Sequence, residues 1–481
     1  MMNNYSNRIE YAKRVLPELQ HLQKIGLICK SGENFPSIVY PPITRYKEQA
    51  PEDLYAGYTF PKDGKIDIYV HFPFCEQRCV FCHYPVKIGE NSEEKEKYLN
   101  TMKQEIKTYM RKFNLSRITP RSILFGGGTP TYMSPAMLED FLKFFCEVVD
   151  VSKATQFSFD VDPNTLIGDH GKERLQIMRD HGVTRLTIGV QSFNDDVLKY
   201  MARPHNAVMA LESVYAAKEM GFELNIDLIY GHPGQTFENW IETTKKAAEL
   251  SLGEIQLYRL KVQAYGDYQG AIINMKEATP DFVSTMLMKR LAIDILAEYG
   301  YKENLRRVYT KSKNAISHHA FNQCCNLLEQ IGFGLTAYTS YRDRFMINTQ
   351  HFSDYYSSIE NGILPANRGL IRNKEQQIRW SIVLPLKNNY IIKKRFEDMH
   401  GIPLDQVFRK KFERLKNENL IQETDTMVSL TTMGAFISDE VVEQFYHNDY
   451  QQFAPGDFED GDLHPYKDNT TLDAFGLLEE N

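Results

Sequence analysis

Between Lys65 and about Val262, six short apolar runs alternate with amphipathic stretches, and this alternation limits the chain to very few folds. The runs are "IDIYVHF", "SILFGG", "QFSFDV", "RLTIGV", "ELNIDLIYG" and "EIQLYRL". Runs of this length and apolarity read as buried parallel strands. Between them, "SEEKEKYLNTMKQEIKTYMRKF", "SPAMLEDFLKFFCEVV", "KERLQIMRDHG", "NAVMALESVYAAKEMG" and "TFENWIETTKKAAELS" read as helices. Ser134 is placed to cap the second of these, with Pro135 at its first position, and Gly221 ends the helix that starts after Asn206. Right-handed crossovers set each strand beside the last. The expected fold class is therefore α/β, a partial (β/α)6 TIM-like barrel with ligands at the C-terminal strand ends.

The flanks divide the 481 residues further. Residues 1–62 read as an N-terminal helical and extended covering segment, with one helix from Arg8 to Ile25 and then the Pro-rich "FPSIVYPPITRYKEQAP". The barrel occupies 63–265, and 266–372 read as a mixed α/β extension. Residues 373–450 read as a C-terminal winged-helix-like accessory domain. There "IPLDQVFRKKFERLKNENLIQET" is a helix entering a short strand, "MVSLTTMGAF" a second strand and "ISDEVVEQFY" the start of a last helix. Residues 451–481 form an acidic, Gly/Pro-containing tail expected to be poorly ordered. The net charge of −7 gives no basic surface for nucleic acid, so the basic side of "FRKKFERLKNENL" reads as solvated or as a substrate cover. No apolar run is long enough for a bilayer, and the N-terminus lacks the apolar core and cleavage site of a secretory signal. The expected compartment is the cytoplasm, with reduced cysteines.

Three of the seven cysteines, Cys75, Cys79 and Cys82, stand together in "YVHFPFCEQRCVFCHYPV". A zinc site would want a second pair, but Cys324 and Cys325 are adjacent and Cys29 and Cys146 isolated, leaving His71 or His83 to complete it. Three buried apolar cysteines are the plainest alternative. Three thiolates on one loop also suit three irons of a 4Fe–4S cluster, with the fourth iron open to a substrate's amine and carboxylate. Other polar residues fall at strand ends. "FGGGTPT" offers glycines for close backbone approach, "FSFDVDP" two carboxylates, "RLTIGVQSFN" Gln191 and "NIDLIYGHPGQT" Asp227. Turn chemistry before Pro163 is the favoured reading of Asp162, and a buried, hydrogen-bonded ring that of His71. For Asp227 a satisfied core carboxylate is the structural alternative.

C-x3-C-x2-C with an aromatic before the third cysteine resembles the radical S-adenosylmethionine (radical SAM) superfamily. "YVHFPFCEQRCVFC" is similar to the branch of oxygen-independent coproporphyrinogen III dehydrogenase, with its haem chaperones, class C methyltransferases and anaerobic haem-opening enzymes. The resemblance runs from about Lys65 to Tyr341. It implies a cluster on Cys75, Cys79 and Cys82 and one or two molecules of SAM. It assigns SAM contacts to Tyr69, Phe81, Gly127, Gly128, Thr129, Asp160, Gln191, Arg203 and Asp227: the glycine stretch to the amino group, Gln191 and Asp227 to the ribose and Arg203 to the carboxylate. Asp160 stands where relatives carry the longer glutamate. "EQIGFGLTAYTSY" resembles the segment that closes the active site, although plain turns are an equal reading of its glycines. The implied function is reductive cleavage of SAM to a 5′-deoxyadenosyl radical, which modifies a tetrapyrrole or other aromatic small molecule by oxidation or methyl transfer, or else haem chaperoning. An electron donor such as flavodoxin or ferredoxin would be the partner. Tyr84 departs from the dehydrogenase pattern, which has a further cysteine there.

Overall fold

The computed structural model describes residues 2–32, 39–82, 84–89, 91–260 and 279–470. His83, one of the two histidines considered for zinc, lies outside them. Six strands, β1 (Ile66–Phe72), β2 (Pro120–Gly127), β3 (Phe157–Val161), β4 (Arg185–Gln191), β5 (Glu223–Tyr230) and β6 (Glu254–Arg259), pair in parallel and in chain order. Helices α1 (Ser92–Lys112), α2 (Pro135–Val148), α3 (Gly168–Asp180), α4 (Ala207–Glu219) and α5 (Phe237–Glu249) connect them. Polar side chains fix where most of these helices begin. Ser134 accepts from the Met137 N–H and Asn206 from the Met209 N–H, while Thr236 and Asn239 form a reciprocal capping box. Phe125 stacks on Phe159 at 4.5 Å, with Phe141, Phe145 and Phe157 around them. This locks α2 onto β2 and β3, each buried ring contributing about 2 kcal/mol.

The inside of the curved sheet is polar. Arg185 on β4 reaches past β5 to Glu254 on β6 at 3.0 Å, a span open only to side chains inside the curve. Alternate residues on the same strands are also polar: Ser158 and Asp160, Thr187, Asn225 and Asp227, Gln256. The runs that read as uniformly apolar therefore carry a period-two polar stripe.

The extension adds strands at both sheet edges. Gln330–Phe333 is a further parallel strand beside β1, registered Gln330 to Asp67 and Phe333 to Val70. Antiparallel Tyr338–Tyr341, Arg344–Asn348, Ala366–Ile371 and Lys47–Glu48 follow, and Val308–Thr310 and Lys302–Leu305 extend the edge beyond β6. Among the described residues the thirteen-stranded sheet does not close on itself. Glycine in "EQIGFG" serves the sheet: a Cβ on Gly332 would lie 2.4 Å from the Tyr338 carbonyl oxygen. Glu105 of α1 anchors this edge, accepting from the Gly334 N–H, the Asn348 amide and the Tyr355 hydroxyl.

The C-terminal unit has a helix, Lys374–Lys387, and a three-stranded antiparallel sheet of Tyr390–Ile392, Met427–Leu430 and Ile421–Glu423. Two expectations are corrected. The long helix starts only at Arg409, because Phe408 turns left-handed at φ +50°. "TMGAF" is helical rather than a strand, because Thr431 caps it by accepting from the Gly434 N–H. The N-terminal helix is likewise two, Met2–Ala12 and Leu16–Lys24, with Pro17 in the first turn of the second.

The described part of the tail is packed. Phe458 and Leu463 are buried, and Asn469 binds the fully buried Arg379, which also meets Glu375 and the Phe445 carbonyl. Acidic composition concealed this, because two apolar anchors and one amide hold the segment. Arg379→Ala should cost about 3 kcal/mol by removing the buried donor to the Phe445 carbonyl and Asn469 Oδ1. A lowered urea midpoint would show it, and an unchanged midpoint would refute the anchoring role.

Candidate active site

Cys75, Cys79 and Cys82 follow β1 directly, so their loop lies at the C-terminal end of the barrel. Backbone bonds pin it there. Phe72 and Phe74 carbonyls accept from the N–H groups of Gly128 and Thr129, and the Met201 carbonyl accepts from Val80. Gly127 and Gly128 permit the contact. At φ +109° Gly127 faces the His71 ring, where a Cβ would come within 2.8 Å. A Cβ on Gly128 would stand 2.7 Å from the Phe74 carbonyl oxygen and 3.0 Å from Cys75 Sγ.

The loop closes one side of a cavity of about 230 Å³. Its walls include all three cysteines together with Phe81, Gly127, Gly128, Thr129, Asp160, Gln191, Arg203 and Asp227. Tyr69 is set behind this wall. It is buried, bonds to His71 Nδ1 at 2.9 Å and packs on Tyr338. His71 is the buried, hydrogen-bonded ring read from the sequence, its Nε2 facing Thr336 at 3.3 Å, and burial pushes it down to about 4. Those partners leave it no place as a zinc ligand.

Arg203 ties the site together. Its Nη1 donates to Cys79 Sγ at 3.0 Å, and its Nη2 donates to Asp162 at 2.6 Å and to the Gly189 carbonyl at 2.8 Å. Burial would raise Asp162, but Arg203 and His205 hold it below the usual carboxylate value. Asp162 does make the expected turn, accepting from the Asn164 N–H at 3.0 Å, but it also orients the arginine. Sequence reading missed that second role, as it missed Thr187, Gly189, Thr165, Tyr132, Glu76 and Gln77 in the wall. The inward period-two stripe was the signal for Thr187 and Gly189.

Two carboxylates share the inner end of the cavity. Burial pushes Asp160 up to about 6, against Arg185 and a Thr187 hydrogen bond. Burial and the Asp160 charge push Asp227 up to about 7. Beside them Gln191 sits in left-handed backbone at φ +64°, a strained conformation for a residue with a side chain. Its buried Oε1 has no partner among the described residues.

The donor set fits an iron–sulfur cluster. Among the described residues, no three Cys, His, Asp or Glu side chains converge on a single-ion site. A cluster asks instead for one thiolate per iron. Burial pushes the Cys75 thiol up to about 11 and raises Cys82, an environment that bound cations would reverse. Arg203 and Thr129 supply N–H and O–H donors to Cys79 and Cys75 sulfur.

Comparison with known proteins agrees. Residues 69–247 match the radical SAM superfamily. The chain carries a radical SAM domain. It is 27% identical over 384 residues to the haem chaperone HemW of Bacillus subtilis, covering 78% of this chain and 98% of that one. It is 26% identical over 417 residues to the oxygen-independent coproporphyrinogen III oxidase of Helicobacter pylori, covering 82% and 88%. The solved structure of coproporphyrinogen III oxidase (HemN) from Escherichia coli, a radical SAM enzyme, matches 85% of this chain and 96% of its own. At a TM-score of 0.73 and 22% identity, that match establishes the shared fold. Radical SAM membership implies a 4Fe–4S cluster and SAM.

Two outcomes follow. Gly128→Ala should sharply reduce iron bound after reconstitution while leaving far-UV circular dichroism intact. Gly456→Ala, with open space around its Cβ, should change neither. Equal iron in both variants would contradict the role of Gly128. Asp227 keeps its proton in the fold up to about 7, whereas the unfolded chain loses it near about pH 4. Its raised value therefore makes stability fall as pH rises between these limits. Asp227→Asn should narrow the gap between urea midpoints at about pH 5 and about pH 8. An unchanged gap would refute the buried, protonated carboxylate.

Proposed function

We propose that the chain is a radical SAM enzyme acting on a tetrapyrrole or other flat aromatic small molecule, by radical oxidation or methyl transfer. The observation that carries this reading is the single cavity joining the three cysteines to Arg203, Gln191 and Asp227. When bound, the cluster supplies one electron that breaks a sulfonium–carbon bond of SAM and yields a 5′-deoxyadenosyl radical.

Cys75, Cys79 and Cys82 would hold the cluster. Arg203, whose buried Nε has no partner among the described residues, has a donor left for the methionine carboxylate of SAM. Gln191 Oε1 and the Asp227 carboxylate offer acceptors to a ribose diol. Tyr338, half-buried, packs on the buried Tyr69 behind the wall, Tyr258 is half-buried on β6, and Tyr84 stands in the cavity wall. Phe81, Tyr84 and Tyr132 in the cavity wall offer a flat substrate apolar surface.

Tyr84 also favours chemistry other than the coproporphyrinogen reaction, since it replaces the further cysteine of that pattern. The second reading, haem chaperoning with little turnover, is supported by the match across 98% of the B. subtilis chaperone. Anaerobic incubation of the iron-loaded protein with dithionite, SAM and candidate porphyrins separates them. The enzyme reading expects 5′-deoxyadenosine, with S-adenosylhomocysteine as well if methyl transfer is the outcome. Tight haem binding with no nucleoside product would overturn it in favour of the chaperone.

A further inference from the structure

The loop that carries Cys79 meets the turn at 201–203 in three places. The Val80 N–H donates to the Met201 carbonyl at 3.1 Å, Gln77 Nε2 to the Ala202 carbonyl at 2.7 Å, and Arg203 Nη1 to Cys79 Sγ at 3.0 Å. Ala202 takes left-handed backbone at φ +52°, a costly conformation for a residue with a Cβ. Pro204 restricts Arg203 from the other side, and the Arg203 N–H donates to the Leu198 carbonyl at 3.0 Å. The guanidinium thus reaches the sulfur from a backbone that is fixed on its own account. Cys75 Sγ accepts from the neutral Thr129 hydroxyl at 3.6 Å, whereas Cys79 accepts from a charged donor.

Asp162 is fixed as firmly. Its Oδ1 accepts from the Asn164 N–H at 3.0 Å and lies 3.7 Å from His205 Nδ1. His205 is held in turn by its Nε2, which donates to the Val190 carbonyl at 3.1 Å. The other oxygen, Oδ2, accepts from Arg203 Nη2 at 2.6 Å. A turn before Pro163 requires the Asn164 bond alone, so the second oxygen serves a different purpose. Carboxylate, guanidinium and cysteine sulfur form one unbroken chain of hydrogen bonds. The Arg203 and Asp162 side chains are 7% and 13% exposed, so solvent ions screen their charges little.

Hydrogen bonds to cysteine sulfur and local net charge are what set the potential of an iron–sulfur cluster. A cationic donor stabilises the added electron of the reduced state, and a carboxylate behind that donor offsets part of the effect. We propose that Arg203 and Asp162 act as an opposed charge pair that sets the reduction potential of a cluster held on Cys79. Arg203 raises the potential and Asp162 lowers it. This rests on the cluster reading above and adds to it an electronic role for Asp162, a residue that does not itself touch the sulfur.

The test is an anaerobic redox titration of the full-length, iron-reconstituted chain, followed by electron paramagnetic resonance at matched iron content. Asp162→Asn removes the negative charge and keeps an oxygen to accept from Arg203. Its potential should rise by at least about tenfold in the equilibrium constant for reduction, about 59 mV for one electron. Arg203→Gln removes the positive charge and should lower the potential by a similar factor. Asp162→Glu keeps the charge and should stay close to the wild type. Opposite shifts are the signature, because a loosened or wetter loop would move both variants the same way. An unchanged or lowered potential in Asp162→Asn, or shifts of one sign in both variants, overturns the pair and leaves the cluster reading standing. If either variant fails to retain iron, the other decides by the same sign. If the wild type itself forms no reducible cluster, the cluster reading fails and the proposal with it.

Discussion

The candidate site depends on the fork of Arg203. A single buried guanidinium bonds to a cysteine sulfur, to the Asp162 carboxylate on the turn after β3 and to the Gly189 carbonyl of β4. Guanidinium geometry lets one side chain satisfy three acceptors in fixed directions, which an ammonium on a flexible stem does not. The cysteine loop is thereby referenced to two barrel strands by a side chain as well as by its backbone bonds to Gly128 and Thr129. Asp162 stays ionised because Arg203 and His205 face it, so neither charge is buried uncompensated.

The barrel supplies what such a loop needs. Parallel strands in chain order bring β2, β3, β4 and β5 to one end, each delivering one to three residues to the same space, beside the cysteine loop that follows β1. Glycines at the end of β2 allow the loop to lie directly on that strand. Deeper inside, Arg185 pairs with Glu254 near Asp160 and Asp227, whose carboxyls burial holds above the usual carboxylate value. The match of residues 69–247 to a radical SAM domain thus goes with an arrangement that makes chemical sense residue by residue.

Much of this was legible in the chain itself. The β1–β6 runs, the Ser134 and Asn206 caps and the cysteine spacing depend on local periodicity and local hydrogen bonds, which a sequence displays directly. What escaped depended on distant partners. Asp162 looks like a turn residue until Arg203, forty-one residues on, is placed beside it. Gln330–Phe333 becomes a strand through pairing with β1, and its short "QIGF" carries no period of its own. The tail "QQFAPGDFEDGDLHPYKDNT" is acidic, yet buried Phe458 and Leu463, Asn469 on Arg379 and Asp468 on Lys410 and Arg414 dock it. Tyr69, assigned to the cavity by resemblance, is one layer behind it, because its hydroxyl is committed to His71.

The central claim is that Cys75, Cys79 and Cys82 would hold a cluster beside the Arg203 cavity, where SAM would bind. Electron paramagnetic resonance of the reduced, iron-loaded chain with and without SAM tests it most directly. The expected result is a cluster signal whose shape shifts when SAM is added, in the wild type and not in Arg203→Ala. Identical spectra with and without SAM in the wild type would contradict the account.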